Sequence, residues 1–222
     1  MSYIYAILAI IFLIHPLVAS ARSAPWVGVD FIGRPCDGSN TETWYGPYDF
    51  ITQKGKLIIV EQHHFTPNVE NHIKGQEASV PVDLNYTLMA SPNHHRALLS
   101  IIRLKIKLDR KLIIYRDGRT LPSPVECYFQ RAINFSPKDA FTYSLFGYYL
   151  KEMNRPEEAK KYYLKALSIN PDSEKIAYSY SLLLLELKEY DKAVEYAKRA
   201  YQNPQTPPGL RNKLKSLGKW ND

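Results

Sequence analysis

The 222-residue chain is 45% hydrophobic and 23% charged, which is the composition of an ordinary globular protein and excludes disorder as the default state. Its 29 Lys and Arg residues against 22 Asp and Glu residues give a formal charge of +7. Such a surface can meet anionic lipid head groups, acidic polymers or acidic protein tails, although a solvated charged surface explains the same excess.

The first 21 residues predict a secretory signal peptide. An apolar run extends from Tyr3 to Ile14, and small residues follow at positions 19–21, as at a cleavage site. The run is shorter than the ~20 apolar residues that span a bilayer. Because no Lys or Arg precedes the run and Arg22 follows it, an uncleaved membrane anchor is the alternative. We therefore expect export to the periplasm, with membrane contact only if the segment is not cleaved.

The chain has two cysteines, Cys36 and Cys127. In an oxidising compartment two lone cysteines favour one disulfide, which here would tie the N-terminal segment to the helical part. Two separate buried thiols are the alternative. Neither cysteine lies in a Cys-x-x-Cys pair, so neither indicates a catalytic role.

Residues 22–82 do not follow a helical period and predict a mostly irregular N-terminal cap. Thr66 before Pro67, with Glu70 behind it, predicts one helix start. We expect the cap to cover the open apolar end of the first helical pair. The alternative is binding of a sugar or an envelope polymer through the aromatic residues Trp44, Tyr45, Tyr48 and Phe50.

The second half of the chain repeats itself at a fixed period. Ala159 and Ala193 are 34 positions apart, and so are Ala166 and Ala200. A fixed period of this length, with small residues at matched points, is typical of arrays of helix-turn-helix units.

The unit at residues 140–171 resembles the tetratricopeptide repeat. The residues that carry the resemblance are Tyr143, Phe146, Gly147 and Leu150 on the first helix, and Ala159, Tyr163, Ala166 and Pro171 on the second. The resemblance implies an all-α fold, a short right-handed solenoid of helix pairs whose first helices line a concave groove. We assign residues 83–222 to this array, with an insertion near 109–122 and a C-terminal capping helix.

An earlier unit is predicted upstream of the clear repeats. Residues 125–137 match a second helix, and residues 92–108 are the best candidate for its first helix, with Leu98 set against Phe146. This alignment makes His95 equivalent to Tyr143, the large side chain that packs between the two helices. His94, which precedes it, is expected to point outward. The stretches WYGPYDF, HFTPNVE, LNYTL, PNHHRAL and VECYFQRA also resemble those of bacterial exported tetratricopeptide proteins, which implies the same architecture and export but no activity.

The histidines of the N-terminal half raise an alternative function, a metal-dependent or otherwise catalytic protein. The candidates are His63, His64, His94 and His95. No HExxH, paired CxxC, Walker loop, GxSxG or GxGxxG motif appears in the sequence. We therefore predict packing or capping roles for these histidines, no metal or cofactor, no catalytic residue and no enzymatic activity.

The family resemblance also implies a groove that binds a partner. The alignment places the following residues in it: Asn93, Arg96, Ser100, Arg103, Phe141, Ser144, Tyr148, Lys151, Lys175, Tyr178 and Leu182. Alternating basic and aromatic side chains suit an extended segment with acidic groups. We predict an adaptor or assembly factor that binds a peptide or protein, and no nucleic-acid partner. The oligomeric state and the identity of the partner do not follow from the sequence.

Overall fold

The computed structural model describes residues 23–38, 45–113 and 120–220. The predicted signal peptide, Trp44 and residues 114–119 of the predicted insertion lie outside these residues. Among the helices of the described part, none combines the length and the apolar character that crossing a membrane requires.

The fold is an all-α helical solenoid. The described residues contain no β-strand, although an isolated antiparallel bridge pairs Val29 with Pro35. A short 3-10 helix, Lys54–Leu57, leads directly into the first α-helix. The α-helices are α1 Ile58–His64, α2 Pro67–Glu70, α3 Val80–Ala90, α4 His95–Asp109, α5 Val125–Phe135, α6 Ala140–Glu152, α7 Pro156–Ile169, α8 Glu174–Glu186, α9 Tyr190–Ala200 and α10 Gly209–Ser216.

Helices α6 and α7 pack as one pair, and α8 and α9 as the next. The side chain of Asp139 caps α6 by accepting the N–H groups of Phe141 and Thr142, and that of Ser173 caps α8 by accepting the N–H of Ile176. Pro156 stands in the first turn of α7, where its missing N–H group is not needed. These local signals begin the helices at the points that the repeat period requires.

The first helices of three successive units end alike. Lys111, Asn154 and Lys188 follow α4, α6 and α8, and their φ angles are 55°, 57° and 60°. In each case the next backbone N–H bonds to a carbonyl five residues earlier: Leu112 to Lys107, Arg155 to Leu150 and Glu189 to Leu184. A left-handed residue closed by this bond is a common helix C-terminus. The shared ending identifies α4 as the first helix of the upstream unit.

The structure corrects the predicted register of that upstream unit. His94 caps α4 as Asp139 caps α6, and the two caps are 45 positions apart, whereas the predicted alignment used an offset of 48. Leu98 therefore takes the place of Tyr143, and His95 does not. The error arose because histidine is not among the residue types that usually mark a helix start.

The core of the array depends on small residues that let helices approach closely. A Cβ added to Gly147 of α6 would lie 3.0 Å from two ring carbons of Tyr163 and 3.3 Å from the carbonyl oxygen of Ala159, both on α7. Phe146 of α6 stacks on Phe129 of α5 with 4.9 Å between ring centroids and also contacts Tyr162 of α7 at 4.4 Å. The repeats and the upstream helices consequently share one continuous core.

Residues 23–38 form an irregular strap against α5, and we call this segment the strap. The disulfide between Cys36 and Cys127 joins it to the first turn of α5. Phe31 of the strap stacks on Tyr149 of α6 at 5.8 Å. The strap therefore bridges two helices that belong to different units.

The rest of the predicted cap is more helical than expected, since it contains the 3-10 helix, α1 and α2. The predicted border at residue 83 falls inside α3. Leu57, Val60 and Ala90 form a small second core. The aromatic residues packed against that core are Tyr45, Tyr48, Phe50 and Tyr86.

The C-terminal end of the array is covered by α10, which packs against α9. Leu210 and Leu214 are buried there. After the helix, Trp220 contacts Tyr201 with 5.6 Å between ring centroids, and the Arg211 guanidinium lies 4.1 Å from the Tyr201 ring. This end therefore buries most of its apolar side chains, although Leu217 after α10 remains exposed.

Candidate partner-binding groove

The first helices α4, α6 and α8 line a groove of about 320 Å³. Most of its lining is apolar or aromatic, with two cations and two serine hydroxyls. The lining residues are Leu99, Arg103, Phe141, Ser144, Leu145, Tyr148, Lys151, Tyr163, Tyr178, Ser179 and Leu182.

The groove runs along equivalent positions of the three first helices. Leu99, Ser144 and Tyr178 form one set of equivalent residues, and Arg103, Tyr148 and Leu182 form the other. In each set, the α6 and α8 residues are 34 positions apart, as are the helix caps Asp139 and Ser173. The α4 and α6 residues are 45 positions apart, as are the caps His94 and Asp139. The same helix face is thus presented three times in succession.

The positive charge of the groove is concentrated at Arg103. This side chain is exposed and makes no ion pair with any described residue. The other cation, Lys151, lies 2.8 Å from Glu152 and 3.2 Å from Glu186, measured from its Nζ to a carboxylate oxygen. Burial opposes the charged form of Lys151, but hydrogen bonds to these carboxylates raise its pKa overall. An anionic group that enters the groove therefore finds its counter-charge at Arg103.

Four residues predicted for the groove lie elsewhere. Ser100 is buried, and its hydroxyl donates to the carbonyl of Glu70 over 2.9 Å. Arg96 pairs with the Glu70 carboxylate, and Asn93 is buried between the N-terminal segment and the array. Lys175 is exposed on α8 outside the lining. The predicted alignment of α4 was wrong by three residues. It therefore assigned to the groove Arg96 and Ser100, which face α2 instead.

The sequence alignment missed some lining residues: Leu99, Leu145, Tyr163 and Ser179. Leu145 and Ser179 are one repeat period apart, so they are equivalent residues, and placing one of them in the groove would have predicted the other. Leu99 follows from the true spacing of the helix caps. Tyr163 belongs to a second helix, and it reaches the groove only because Gly147 leaves room for its ring.

His94 and His95 join the N-terminal segment to the array. His94 is buried, its Nδ1 accepts the N–H of Ala97, and its Nε2 donates to Glu61 over 2.9 Å. The prediction that His94 points outward is therefore wrong. The Nε2 of His95 lies 2.7 Å from Oδ2 of Asp139, the residue that caps α6. Burial lowers the pKa of His94, although the Glu61 hydrogen bond opposes this effect.

His63 and His64 lie on α1 and contact separate carboxylates. The Nδ1 of His63 is 3.0 Å from Glu77, and the Nδ1 of His64 is 3.0 Å from the buried Asp83. The four candidate histidines are thus bound to four different acidic residues rather than directed at one point. In the part of the chain that the structure describes, no group of three or more His, Cys, Asp or Glu side chains is arranged to hold a metal ion.

Comparison with known proteins identifies the class of the repeated part. A tetratricopeptide repeat family model matches residues 142–173 and 174–204, which contain the α6–α7 and α8–α9 pairs. The chain therefore contains two consecutive tetratricopeptide repeats, which are modules for protein interaction. Outside these matches, assignment of the upstream helices to a further unit depends on their shared helix caps and endings.

Individual relatives are distant. Protein O-mannosyl-transferase TMTC3 of Homo sapiens is 26% identical over 110 residues, which are 50% of this chain and 11% of the human protein. Among solved structures, MamA is 19% identical with a TM-score of 0.39, covering 64% of this chain and 70% of MamA. PilF of Pseudomonas aeruginosa is 15% identical with a TM-score of 0.32, covering 63% of this chain and 76% of PilF. The chain spans about a tenth of the length of its human relative.

Proposed function

We propose that this protein is an exported adaptor or assembly factor whose groove binds an extended peptide or protein segment with an acidic group. The observation that carries the proposal is an aromatic groove next to Arg103, a cation without an ion pair among the described residues. A guanidinium forms two parallel hydrogen bonds with a carboxylate, which gives the bound segment a fixed direction.

The apolar lining supplies the remaining contacts in this proposal. Phe141 and Tyr148 belong to α6, and Leu182 continues the same surface on α8. Aromatic anchors of this kind carry a large share of the binding energy in protein interfaces. A segment with an acidic residue or a terminal carboxylate beside apolar side chains is the partner that fits.

The chemistry of the groove favours binding over catalysis. Its ionisable lining residues are Arg103, Lys151 and three tyrosines. Burial raises the pKa of Tyr148, Tyr163 and Tyr178, and the pKa of Lys151 is raised as well. The three tyrosines and Lys151 therefore keep their protons at neutral pH and do not act as a general base. The proposed role is therefore that of a protein without enzymatic activity.

The first experiment is crosslinking in the native cell with a photo-reactive residue at position 148. A second variant carries the same residue at position 161, since Lys161 is exposed on α7 and outside the groove. A discrete protein captured only from position 148 is the expected result. Equal capture from both positions would contradict the groove as the binding site. Fractionation of the same cells tests export independently, because an exported protein leaves the cytoplasm.

The captured partner then allows a quantitative test. Arg103→Glu reverses the charge that the acidic group needs, and we expect the dissociation constant to rise by about tenfold or more. Lys175→Glu makes the same change in charge on an exposed residue outside the lining and serves as the control. Equal affinities of the two variants would show that net charge, rather than the groove, governs binding.

A further inference from the structure

A projecting turn in the N-terminal segment exposes three isoleucines. Ile51, Ile58 and Ile59 have relative exposures of 58%, 59% and 53%. Between them lies the 3-10 helix Lys54–Leu57, and a Cβ added to Gly55 in that helix would meet nothing within 4 Å. The open space around Gly55 shows that this side of the turn faces solvent. We call residues 51–59 the isoleucine turn.

Ile58 and Ile59 are exposed because the residues on either side of them, Leu57 and Val60, are the ones that point into the protein. Leu57 and Val60 point inward and form the small second core with Ala90. Ile58 and Ile59 lie between these two buried positions and occupy the opposite face of the helix. The three isoleucines are therefore outside both cores, and Ile58 and Ile59 are adjacent on the exposed side of α1. Exposed aliphatic residues that are neighbours can mark an interaction surface.

The charges of the turn are all positive. Lys54 and Lys56 are exposed, and no acidic residue occurs between positions 50 and 60. Of the acidic residues that flank the turn, Asp49 is buried and accepts the N–H groups of Ile51 and Thr52. Glu61 accepts a hydrogen bond from His94, which lowers the pKa of Glu61, and the charges of Arg96 and Lys54 add to this effect. The isoleucine turn thus exposes aliphatic side chains together with two lysines.

We propose that the isoleucine turn docks on an anionic phospholipid surface. Three projecting isoleucines can enter the boundary between head groups and acyl chains, where they leave water. The two lysines are then at the level of the phosphates, to which they are complementary in charge. The groove lies on α4, α6 and α8, so docking through residues 51–59 uses different elements.

The test needs a local signal, because the apolar run at residues 3–14 can carry the whole chain to vesicles by itself. We suggest replacing Ile58 in the full chain with an environment-sensitive fluorescent amino acid. The control carries the same probe at Ile73, which is 72% exposed and follows α2. Each protein is mixed with vesicles of phosphatidylcholine alone or with about one third phosphatidylglycerol.

The expected result is a blue-shifted, stronger emission from position 58 with anionic vesicles and no change from position 73. Lys54→Gln and Lys56→Gln should each raise the lipid concentration at half-maximal signal by about fivefold. Both replacements are on exposed residues, so the fold is retained and far-UV circular dichroism can verify it. No signal change at position 58, or an equal change at position 73, would overturn the proposal. A response at position 58 to a protein but not to anionic vesicles would also overturn it.

Discussion

His94 donates a hydrogen bond from Nε2 to Oε1 of Glu61 over 2.9 Å, while its Nδ1 accepts the N–H of Ala97. One imidazole thus caps α4 and also holds α1 in place. Because each ring nitrogen has a fixed role, the ring is neutral and its tautomer is defined. This buried side chain is therefore one of the links between the N-terminal segment and the array.

Substitutions of His94 should separate its two roles. Asn at this position can still cap the helix but cannot reach Glu61, whereas Ala does neither. We expect His94→Ala to lower the free energy of unfolding by about 2–4 kcal/mol and His94→Asn by less. Urea denaturation measures both values. Equal losses in the two variants would contradict the capping role.

Acid should weaken the fold before its carboxylates are protonated, because of His72. Its Nε2 lies 3.0 Å from the Ser100 carbonyl oxygen, and its Nδ1 lies 3.0 Å from Nζ of Lys107. Burial, with the charges of Lys107 and Arg103 adding to it, lowers the pKa of His72 to about 4. In the unfolded chain the pKa is about 6.5. The unfolded state therefore binds more protons between these values, and stability is lost as pH falls from about 6.5 towards 4.

The measurement is the free energy of unfolding at pH 7 and pH 5, together with an NMR titration of the His72 ring. His72→Asn should reduce the pH dependence over this interval, since Asn does not titrate, and His94 accounts for part of what remains. Asn is also one of the residue types that tolerate the left-handed backbone of this position, where φ is 63°. A His72 ring that titrates near 6.5 would refute the expectation.

The sequence predicted the repeated part well because its signals are local. Gly147, Ala159 and Tyr163 lie close together along the chain, and their spacing alone defines a helix pair. The upstream unit was misplaced by three residues because His94 is an uncommon helix cap. Because of that small error Ser100, which faces α2, was included in the predicted groove and Leu99 was not, although the predicted Arg103 does line the groove. Long-range contacts such as Phe31 with Tyr149 have no local signal and could not be predicted.

Gly147→Ala should destabilise the protein although alanine favours helices. The helix preference is worth about 1 kcal/mol, but the new methyl group would lie 3.0 Å from two carbons of the Tyr163 ring. Overpacking of a core usually costs about 1–3 kcal/mol, so we expect a net loss of about 1 kcal/mol. Ser181 is the equivalent residue of the next repeat, and its hydroxyl donates to the Ala193 carbonyl over 2.6 Å.

A double-mutant cycle tests this explanation. Tyr163→Leu removes the ring that the new methyl group would meet. The loss of unfolding free energy caused by Tyr163→Leu should therefore be smaller in the Gly147→Ala variant than in the wild type. Thermal and urea unfolding of the four proteins give the coupling energy. Additive losses would show that the Tyr163 ring is not the cause. Ser181→Ala at the equivalent position adds no atoms but removes the hydrogen bond to Ala193, so any loss there measures that bond and not overpacking.

Removal of the disulfide should destabilise the folded chain. Cys36 and Cys127 are 91 residues apart, and a bond across a loop of this length restricts the unfolded state. We expect Cys36→Ser with Cys127→Ser to lose about 2–5 kcal/mol of unfolding free energy. Addition of a thiol reductant to the wild type should give a similar loss and leave the double variant unchanged. A reductant that affects both proteins equally would point to another cause.

Arg131 holds the strap and α3 against α5 without a carboxylate among its described hydrogen-bond partners. Its guanidinium donates to the carbonyls of Ala24 and Leu88 over 2.7 Å each and to that of Met89 over 3.3 Å. Two of these carbonyls belong to the last turn of α3, the negative end of the helix dipole. Burial lowers the pKa of Arg131 to about 10, which leaves it charged at neutral pH.

Arg131→Met should cost about 3–5 kcal/mol, because three carbonyl groups lose a charged donor in a buried site. Arg131→Lys keeps the charge but cannot span all three oxygens, so we expect an intermediate loss. Urea denaturation gives both values, and limited proteolysis reports whether the strap is released. Arg34→Lys is the control, since the Arg34 side chain is mostly exposed. A Met variant as stable as the wild type would show that packing of the side-chain stem, rather than the three hydrogen bonds, is what this site requires.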